Sequence, residues 1–387
     1  MPAIRFGTEH TLGFLRGIAR RAARHSFADR GCIRFSYPDL GASTRYRVDH
    51  QREQAMIAGL HTEAVPITDS RRLYDLSSCD LLYLYRMPLG PRSAALLAAA
   101  RLRRIPVIFD SDDLVWDQRM RAYEHLDQHY NADTITRILR TASRTRQLMR
   151  HVDAIVTSTH YLAQCACSVS PWPVYVNMNA VSREMVQLSL AATPRPVDGH
   201  VLIGYFSGYP RVHDEDVASI GAVLATILTH YPQALLRIYG ELTLPGELST
   251  EALAGQIERR AAVDWRVLPH EIAQMDITIA PLIDNPQRRS KSAVKYLEAG
   301  LCGIPTLASR LEPYADVIHD GQTSLLAATA DEWQHGLRRL IEQAELRRSL
   351  GEQARAHVLA EHTTEVRAAG FADMLRAVMV NGERVSR

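Results

Sequence analysis

The sequence predicts an α/β protein built from two doubly wound domains in tandem, and three observations carry that expectation. Short apolar runs alternate with longer helical stretches, the pattern of sheets covered by helices. The alternation stops over Ala191–Gly199, which holds two prolines, a glycine and no large apolar residue, and it restarts at Val201; such a stretch reads as a linker. The length of 387 residues suits two domains of ordinary size. We therefore expect an N-terminal domain over 1–192 and a C-terminal domain over 198–364. Ligands of such sheets bind beyond the carboxyl ends of the strands, where the strand order reverses. Two domains facing each other would put the site in the cleft between them.

Taken in order, Cys32–Tyr37 (CIRFSY) reads as the first strand and Arg45–Gly59 as a helix ended by its glycine. Leu81–Tyr85 is a strand, Arg92–Arg104 an Ala- and Leu-rich helix, and Pro106–Phe109 another strand. Tyr130–His151 is a long basic helix, followed by short strands at Ala154–Thr157 and Val174–Val176. After the linker, Val201–Phe206 (VLIGYF) is a strand that runs into a Ser207-Gly208 turn and a helix from Asp216. Strands are expected at Ala234–Tyr239, Val263–Leu268, Ile277–Pro281, Ile304–Leu307 and Ser324–Ala328. Lys291–Gly300 is expected to be a helix with a glycine C-cap, and two helices finish the chain.

The net charge is only +2, but residues 1–195 carry an excess of eight positive charges and the remainder an excess of six negative ones. The N-terminal half is a candidate for facing an anionic partner such as a membrane leaflet or an acidic acceptor; a solvated surface with scattered arginines is the alternative. Five cysteines, an odd number with no paired C-x-x-C set, argue against a disulfide framework or a structural zinc site and for a reduced cytoplasm. No run reaches the roughly 18 apolar residues needed to span a bilayer. Thr11–Arg24 (TLGFLRGIARRAAR) lacks a secretion-signal core. It reads as a basic amphipathic helix in a membrane interface, or as a surface helix or frayed terminus.

The chain has only two lysines, Lys291 and Lys295, against 45 basic residues in all. Lysine is a compact point charge and arginine a planar fork. Four residues apart on a helix, two ammoniums share a face and reach one anion, and Glu298 lies near that face. A basic pair and a carboxylate at a helix start suit a ligand with phosphates and hydroxyls, such as a nucleotide sugar. Compositional drift is the competing explanation. Amides at Ser292 and Ala293 would add to a pyrophosphate site, and Glu298 would accept from a ribose diol. Upstream, Gly208 lets the backbone approach a phosphate. His213 is placed to donate to it, and Asp214 and Asp216 read as helix caps.

These motifs resemble the donor-binding domain of GT-B-fold glycosyltransferases, close to glycosyltransferase family 4. The resemblance runs from about Gly204 to His362 and includes GYFSGYPRVHD, LLRIYGE, DITIAPL, KSAVKYLEAGLCGIPTLAS and RRSLGEQARAHVLAEH. It implies two Rossmann-like domains around a cleft, with a final helix over 365–387 crossing back to the N-terminal domain. It also implies a nucleotide-sugar diphosphate bound by Ser207, Gly208, His213, Lys291, Ser292 and Lys295, with Glu298 on the ribose. The family usually carries a glutamate seven residues before that one, touching the transferred sugar; here the position is Ser290. Its replacement turns attention to Lys291, or to the Asp284–Arg289 loop, as the sugar reader.

The N-terminal half resembles the family less specifically. Ser43, Arg45 and Arg47 follow the first strand and are expected on the acceptor side. Arg86 ends the LLYLY strand, and Asp110-Ser111-Asp112-Asp113 ends the PVIF strand; Arg86, Asp112 and Asp113 are the catalytic candidates. Asp110–Asp112 is formally a D-x-D, the metal motif of the GT-A fold, but we expect carboxylates that face the cleft and bind no metal. No G-x-S-x-G, H-E-x-x-H or Walker A sequence occurs, which lowers hydrolase, zinc-protease and ATPase readings.

The resemblance implies a retaining, metal-independent glycosyltransferase of bacterial polysaccharide or glycoconjugate synthesis. It needs no cofactor beyond its nucleotide-sugar substrate. Its acceptor would be a saccharide or lipid-linked saccharide at the inner membrane face, and no nucleic-acid partner is expected. The alternatives are a nucleotide-sugar epimerase or phosphorylase of the same fold, or a non-catalytic partner subunit.

Overall fold

The computed structural model describes residues 32–38, 40–196, 198–208 and 213–385. The Thr11–Arg24 segment lies outside the described residues. Two six-stranded sheets, each wholly parallel in its described pairings, form two lobes. The N-terminal sheet has the order β2-β1-β3-β4-β5-β6, from β1 (Cys32–Tyr37), β2 (His61–Pro66), β3 (Leu81–Tyr85), β4 (Val107–Ser111), β5 (Ala154–Thr157) and β6 (Val174–Val176). The C-terminal sheet has the order β12-β11-β10-β7-β8-β9, from β7 (Val201–Phe206), β8 (Ala234–Tyr239), β9 (Ile257–Arg260), β10 (Ile277–Ala280), β11 (Thr306–Ser309) and β12 (Leu325–Ala327). Strand order reverses between β1 and β3 in one sheet and between β7 and β10 in the other. Those two crevices are the expected ligand positions.

The central strands are buried on both faces, as LLYLY in β3 shows, because helices cover both sides of a parallel sheet. The longer helices are α1 (His50–Ile57), α2 (Pro91–Leu102), α3 (Ala132–Leu148), α4 (His160–Cys167), α5 (Arg183–Ala191), α6 (Gly221–His230), α7 (Val294–Leu301), α8 (Ala330–Glu342), α9 (Ala344–Glu361) and α10 (Thr364–Val385). The stretch from Ala192 to β7 has no regular structure where it is described; Arg195 ties it to Asp276 at 2.7 Å. The chain then crosses back to the first lobe. Val181 N–H donates to His362 O at 2.8 Å and Thr364 N–H to Val181 O at 3.0 Å. Beyond this bridge α10 buries Phe371, Leu375 and Met379 in the core that contains Ile33, Phe35 and Tyr83.

Several elements differ from the sequence expectation for identifiable reasons. Strand β2 (HTEAVP) was not expected, because it is a sheet edge with mixed polarity and a proline. The strand expected at Val263–Leu268 is instead irregular chain leading into a helical turn at Leu268–Ala273. The real edge strand β9 (IERR) is mostly polar and is held by a 2.6 Å Arg237–Glu258 contact. The helix expected from Lys291 starts at Val294, so Lys291 and Ser292 stand before it and the two lysines do not share a helical face. Its end is set by Gly303, which has a φ of +74°, rather than by Gly300, which lies inside the helix against Val358 and Ala354. Three helices, not two, finish the chain.

Candidate active site

The carboxyl ends of both sheets border one cleft of about 930 Å³ between the lobes. Its N-terminal wall begins after β1. Gly41 takes a φ of +62°, and the chain then winds through a helical turn (Ala42–Thr44) and a π-helical turn (Arg45–Asp49) into α1. π-turns inside helices recur at functional sites. Ser43, Arg45 and Tyr46 line the cleft. The Arg45 guanidinium lies 4.8 Å from the Trp265 ring of the opposite lobe and 4.9 Å from Tyr46.

Arg47 departs from the expectation. It is fully buried behind the wall and pairs with Asp110, Nε to Oδ2 at 3.0 Å and Nη2 to Oδ1 at 2.5 Å, while Nη1 donates to Asn177 O at 2.7 Å. An arginine here is a structural tie between β4 and β6. Both oxygens of Asp110 are occupied by that guanidinium, so Asp110 does not face the cleft and the first carboxylate of Asp110-Ser111-Asp112 is already paired.

Arg86 follows β3 with a φ of +41°, a left-handed conformation that costs a non-glycine residue about 1–2 kcal/mol. Such strain clusters at functional sites. Here it brings Nε to 2.7 Å from Asp112 Oδ1 and Nη2 to 3.1 Å from Asp113 Oδ2. Asp112 also accepts from the Tyr85 hydroxyl at 2.9 Å, and both Arg86 and Asp112 line the cleft. Asp113 is turned toward the other lobe, where Lys291 Nζ lies 2.9 Å from its Oδ2 and Gln287 Nε2 donates to its Oδ1. Burial alone would raise the Asp113 carboxyl; Lys291 and then Arg86 reverse this and hold it below the ordinary range.

The opposite wall is built where β7 and β10 part. Gly240, with a φ of +92°, closes β8 against the Ser207 carbonyl, and a Cβ there would stand 2.5 Å from that oxygen. The close approach helps fix the Ser207-Gly208 turn on the cleft wall. Lys295, on α7, lies 5.6 Å from the Tyr205 ring. Among the described residues it makes no ion pair, and burial lowers its pKa.

His213 is positioned by Asp216, whose Oδ2 is 2.7 Å from Nδ1. Asp216 is in turn held by Arg288 at 3.0 Å. Burial first, and Lys295 next, push His213 down to about 4. Its neutral ring donates Nδ1–H to Asp216, which leaves Nε2 as an acceptor. Asp216 therefore orients a cleft residue rather than capping a helix, and His213 donates to a phosphate only after taking up a proton.

Glu298 is held from across the cleft: the Tyr46 hydroxyl donates to Oε1 at 2.7 Å and Arg45 Nη2 at 3.3 Å. Burial raises its carboxyl, with Arg45 opposing. Ser292 is also engaged, accepting from Asn179 Nδ2 at 2.8 Å. No residue of the Asp284–Arg289 loop lines the cleft. Its arginines pair with nearby carboxylates, Arg289 with Asp284 (2.6 Å) and Glu312, and Arg288 with Asp216 and Glu124 (2.9 Å). Ser290 is fully buried, and its hydroxyl donates to Gln287 O at 2.6 Å.

Thus Ser43, Arg45, Arg86 and Asp112 meet Ser207, Gly208, His213, Lys291, Ser292, Lys295 and Glu298 on one cleft. Tyr46, Tyr85 and Trp265 were missed as interaction partners. Tyr46 lies between Arg45 and Arg47, both named from the sequence, and only the fold reveals that its hydroxyl reaches Glu298.

Residues 222–373 match a family model described as glycosyl transferase-like. No curated protein sequence matches the chain. Solved structures do. HepE of Anabaena, in complex with UDP and glucose, superposes with a TM-score of 0.63 at 13% identity, covering 90% of this chain and 100% of that one. Sucrose-phosphate synthase of Thermosynechococcus elongatus gives 0.63 at 13%, covering 91% and 100%. A glycosyltransferase of Rickettsia africae gives 0.62 at 11%, covering 90% and 99%. At such identities the likeness establishes the fold. The chain has the GT-B fold of these proteins, and the part that matches the glycosyl transferase-like model falls mostly in its C-terminal lobe.

Proposed function

We propose that this GT-B protein transfers a sugar from a nucleotide-sugar donor to a saccharide or lipid-linked acceptor, with retention of configuration and no metal in the cleft. The observation that carries the reading is Lys295: a half-buried cation that lines the cleft and makes no ion pair among the described residues, with Glu298 and Asp216 acting on it only at longer range, on the same wall as the Ser207-Gly208 turn, at the strand-order reversal of the C-terminal lobe. A diphosphate would supply an anion within its reach. HepE has been solved with UDP and with UDP-glucose, which makes UDP-sugars the first donors to test.

In this reading Lys291, Lys295 and the amides of the turn stabilise charge on the departing diphosphate, the electrostatic contribution that usually dominates such transfers. Glu298 holds the ribose hydroxyls. Asp112, fixed by Arg86 and Tyr85, orients the acceptor hydroxyl. The bond from the sugar's anomeric carbon to the phosphate oxygen breaks. The acceptor oxygen bonds to the same face, and its proton passes to the leaving phosphate, so no protein nucleophile is required. The positive excess of residues 1–195 supports an acceptor at an anionic membrane face; among the described residues no helix is long and apolar enough to cross a membrane.

Thermal-shift screening against UDP, GDP, dTDP, ADP and CMP tests the donor site. A ligand at 100 times its dissociation constant stabilises by about 2.7 kcal/mol, and at least one diphosphate should do so. The buried Ser290 favours one rival, a non-catalytic partner subunit. Absence of a shift with every nucleotide would support that rival and count against the transferase reading.

A further inference from the structure

A second cluster of polar side chains lies apart from the cleft-lining residues, at the crossover between the lobes. His357 and Glu361 stand four residues apart on α9, on one face, and His362 follows immediately. One ligand atom from each lies within 4.8 Å of the others. His357 Nδ1 is 2.8 Å from the Tyr296 hydroxyl. With Nδ1–H donated to that oxygen, the Nε2 lone pair is free toward Glu361, whose Oε2 lies 3.6 Å away. That is long for a hydrogen bond. It is close to the separation of about 3.3 Å between two ligands of a tetrahedral ion with bonds near 2.0–2.1 Å. A metal-bound imidazole typically donates its other N–H to a fixed oxygen, and Tyr296 fills that place.

His362 supplies an independent observation. Its side chain is 95% buried, and Nδ1 makes no hydrogen bond among the described residues. Buried polar atoms are normally satisfied, so this nitrogen lacks a partner that a cation would provide. His319, with its ring centroid 4.8 Å from that of His357, adds a third imidazole beside the cluster.

We propose that His357, Glu361 and His362 bind one divalent cation of the zinc type, a structural site distinct from the donor cleft. Two imidazoles and one carboxylate with a remaining position for water or His319 suit zinc, and they do not suit the oxygen-only preference of magnesium or calcium. The site pins the place where His362 O accepts from Val181 N–H, the bridge by which the chain returns to the first lobe. The bound ion would stiffen that hinge. Glu361 is the one anionic ligand, and it must offset the nearby Arg367, whose Nη1 donates to Glu361 O at 3.4 Å.

The full chain is dialysed against a chelator, and Zn²⁺ alone is titrated by calorimetry, with Co²⁺ as a spectroscopic probe. The parent should take up one equivalent, gain melting temperature, and show tetrahedral Co²⁺ absorption. Glu361→Gln, at an exposed position, should keep the metal-free melting temperature and bind at least about tenfold more weakly; His357→Gln should weaken binding at least as much. No uptake of one equivalent by the parent would overturn the proposal. So would unchanged affinity in both variants, which would assign the metal to other groups such as Cys165 and Cys167.

Discussion

Lys291 Nζ of the C-terminal lobe lies 2.9 Å from Asp113 Oδ2 of the N-terminal lobe, so one of the chain's two lysines is shared between the walls of the cleft. A diphosphate that reaches Lys291 competes with this carboxylate. Lys291→Ala should weaken nucleoside diphosphate binding about tenfold, the loss of one charged hydrogen bond. Asp113→Asn removes the competitor and should tighten binding several-fold. Calorimetric titration with UDP, or with the best ligand from the screen, checks both. A weaker Asp113→Asn protein would show that the pair is part of the binding site rather than a rival to the ligand.

The Tyr46–Glu298 contact predicts two effects of opposite sign. Glu298→Gln should lower donor affinity at least tenfold, since hydrogen bonds to charged groups contribute about 1.5–3 kcal/mol. Tyr46→Phe frees the carboxylate and should leave affinity equal or higher. A ligand-bound structure with the ribose away from Glu298 would refute the assignment.

Lys295 gives a pH dependence. Burial places its folded pKa below 10.5, so the ammonium is lost at lower pH than an exposed lysine would lose it. A bound diphosphate raises that pKa again, and binding takes up a proton as pH approaches it. Diphosphate affinity should therefore fall as pH rises into the alkaline range. Lys295→Ala should bind weakly throughout with that slope removed, as isothermal titration in buffers of graded pH would show.

The Arg47–Asp110 pair predicts a stability effect rather than a binding one. Removing one partner of a buried ion pair leaves the other uncompensated, at about 3–5 kcal/mol. Asp110→Asn and Arg47→Met should each shift the urea midpoint accordingly. A change confined to acceptor affinity, with stability intact, would restore Arg47 to the acceptor side.

Transfer should persist in excess EDTA, because Asp110 is committed to Arg47, Asp112 to Arg86, and Asp113 to Arg86 and Lys291. The measurement is repeated in the Glu361→Gln background, where the proposed ion at the lobe crossover is held more weakly, to separate its loss from loss of a metal in the cleft. Activity abolished there and restored by manganese would overturn the metal-free mechanism.

Much of this architecture is legible in the sequence because parallel strands buried on both faces are short unbroken apolar runs. LLYLY, AIVT and VLIGYF need no partner information to be found, and CIRFSY is found by its alternation of apolar and polar residues. Edge strands HTEAVP and IERR escape because one side meets solvent and their polarity follows pairing, not burial. The lysines and Glu298 stand out by composition and motif, but their engagement does not. Nothing local in Gly41–Arg47 says that Arg45 and Tyr46 reach 253 and 252 residues along the chain to Glu298 while Arg47 turns inward. Those roles are set by which side of a helical turn each residue occupies once two lobes meet.

The packing of α10 on β1 and β3 also sets an order of events during synthesis. Ile33 and Phe35 emerge early, yet the Phe371 and Leu375 that cover them are made after the whole second lobe. At about 5–20 residues per second the interval is on the order of 20–60 seconds. Through it the first sheet carries an uncovered apolar face, while the second lobe has its own strands and helices within one continuous stretch. The nascent first lobe is thus the species that chaperones would hold, and a chain released before residue 371 would expose the same face permanently.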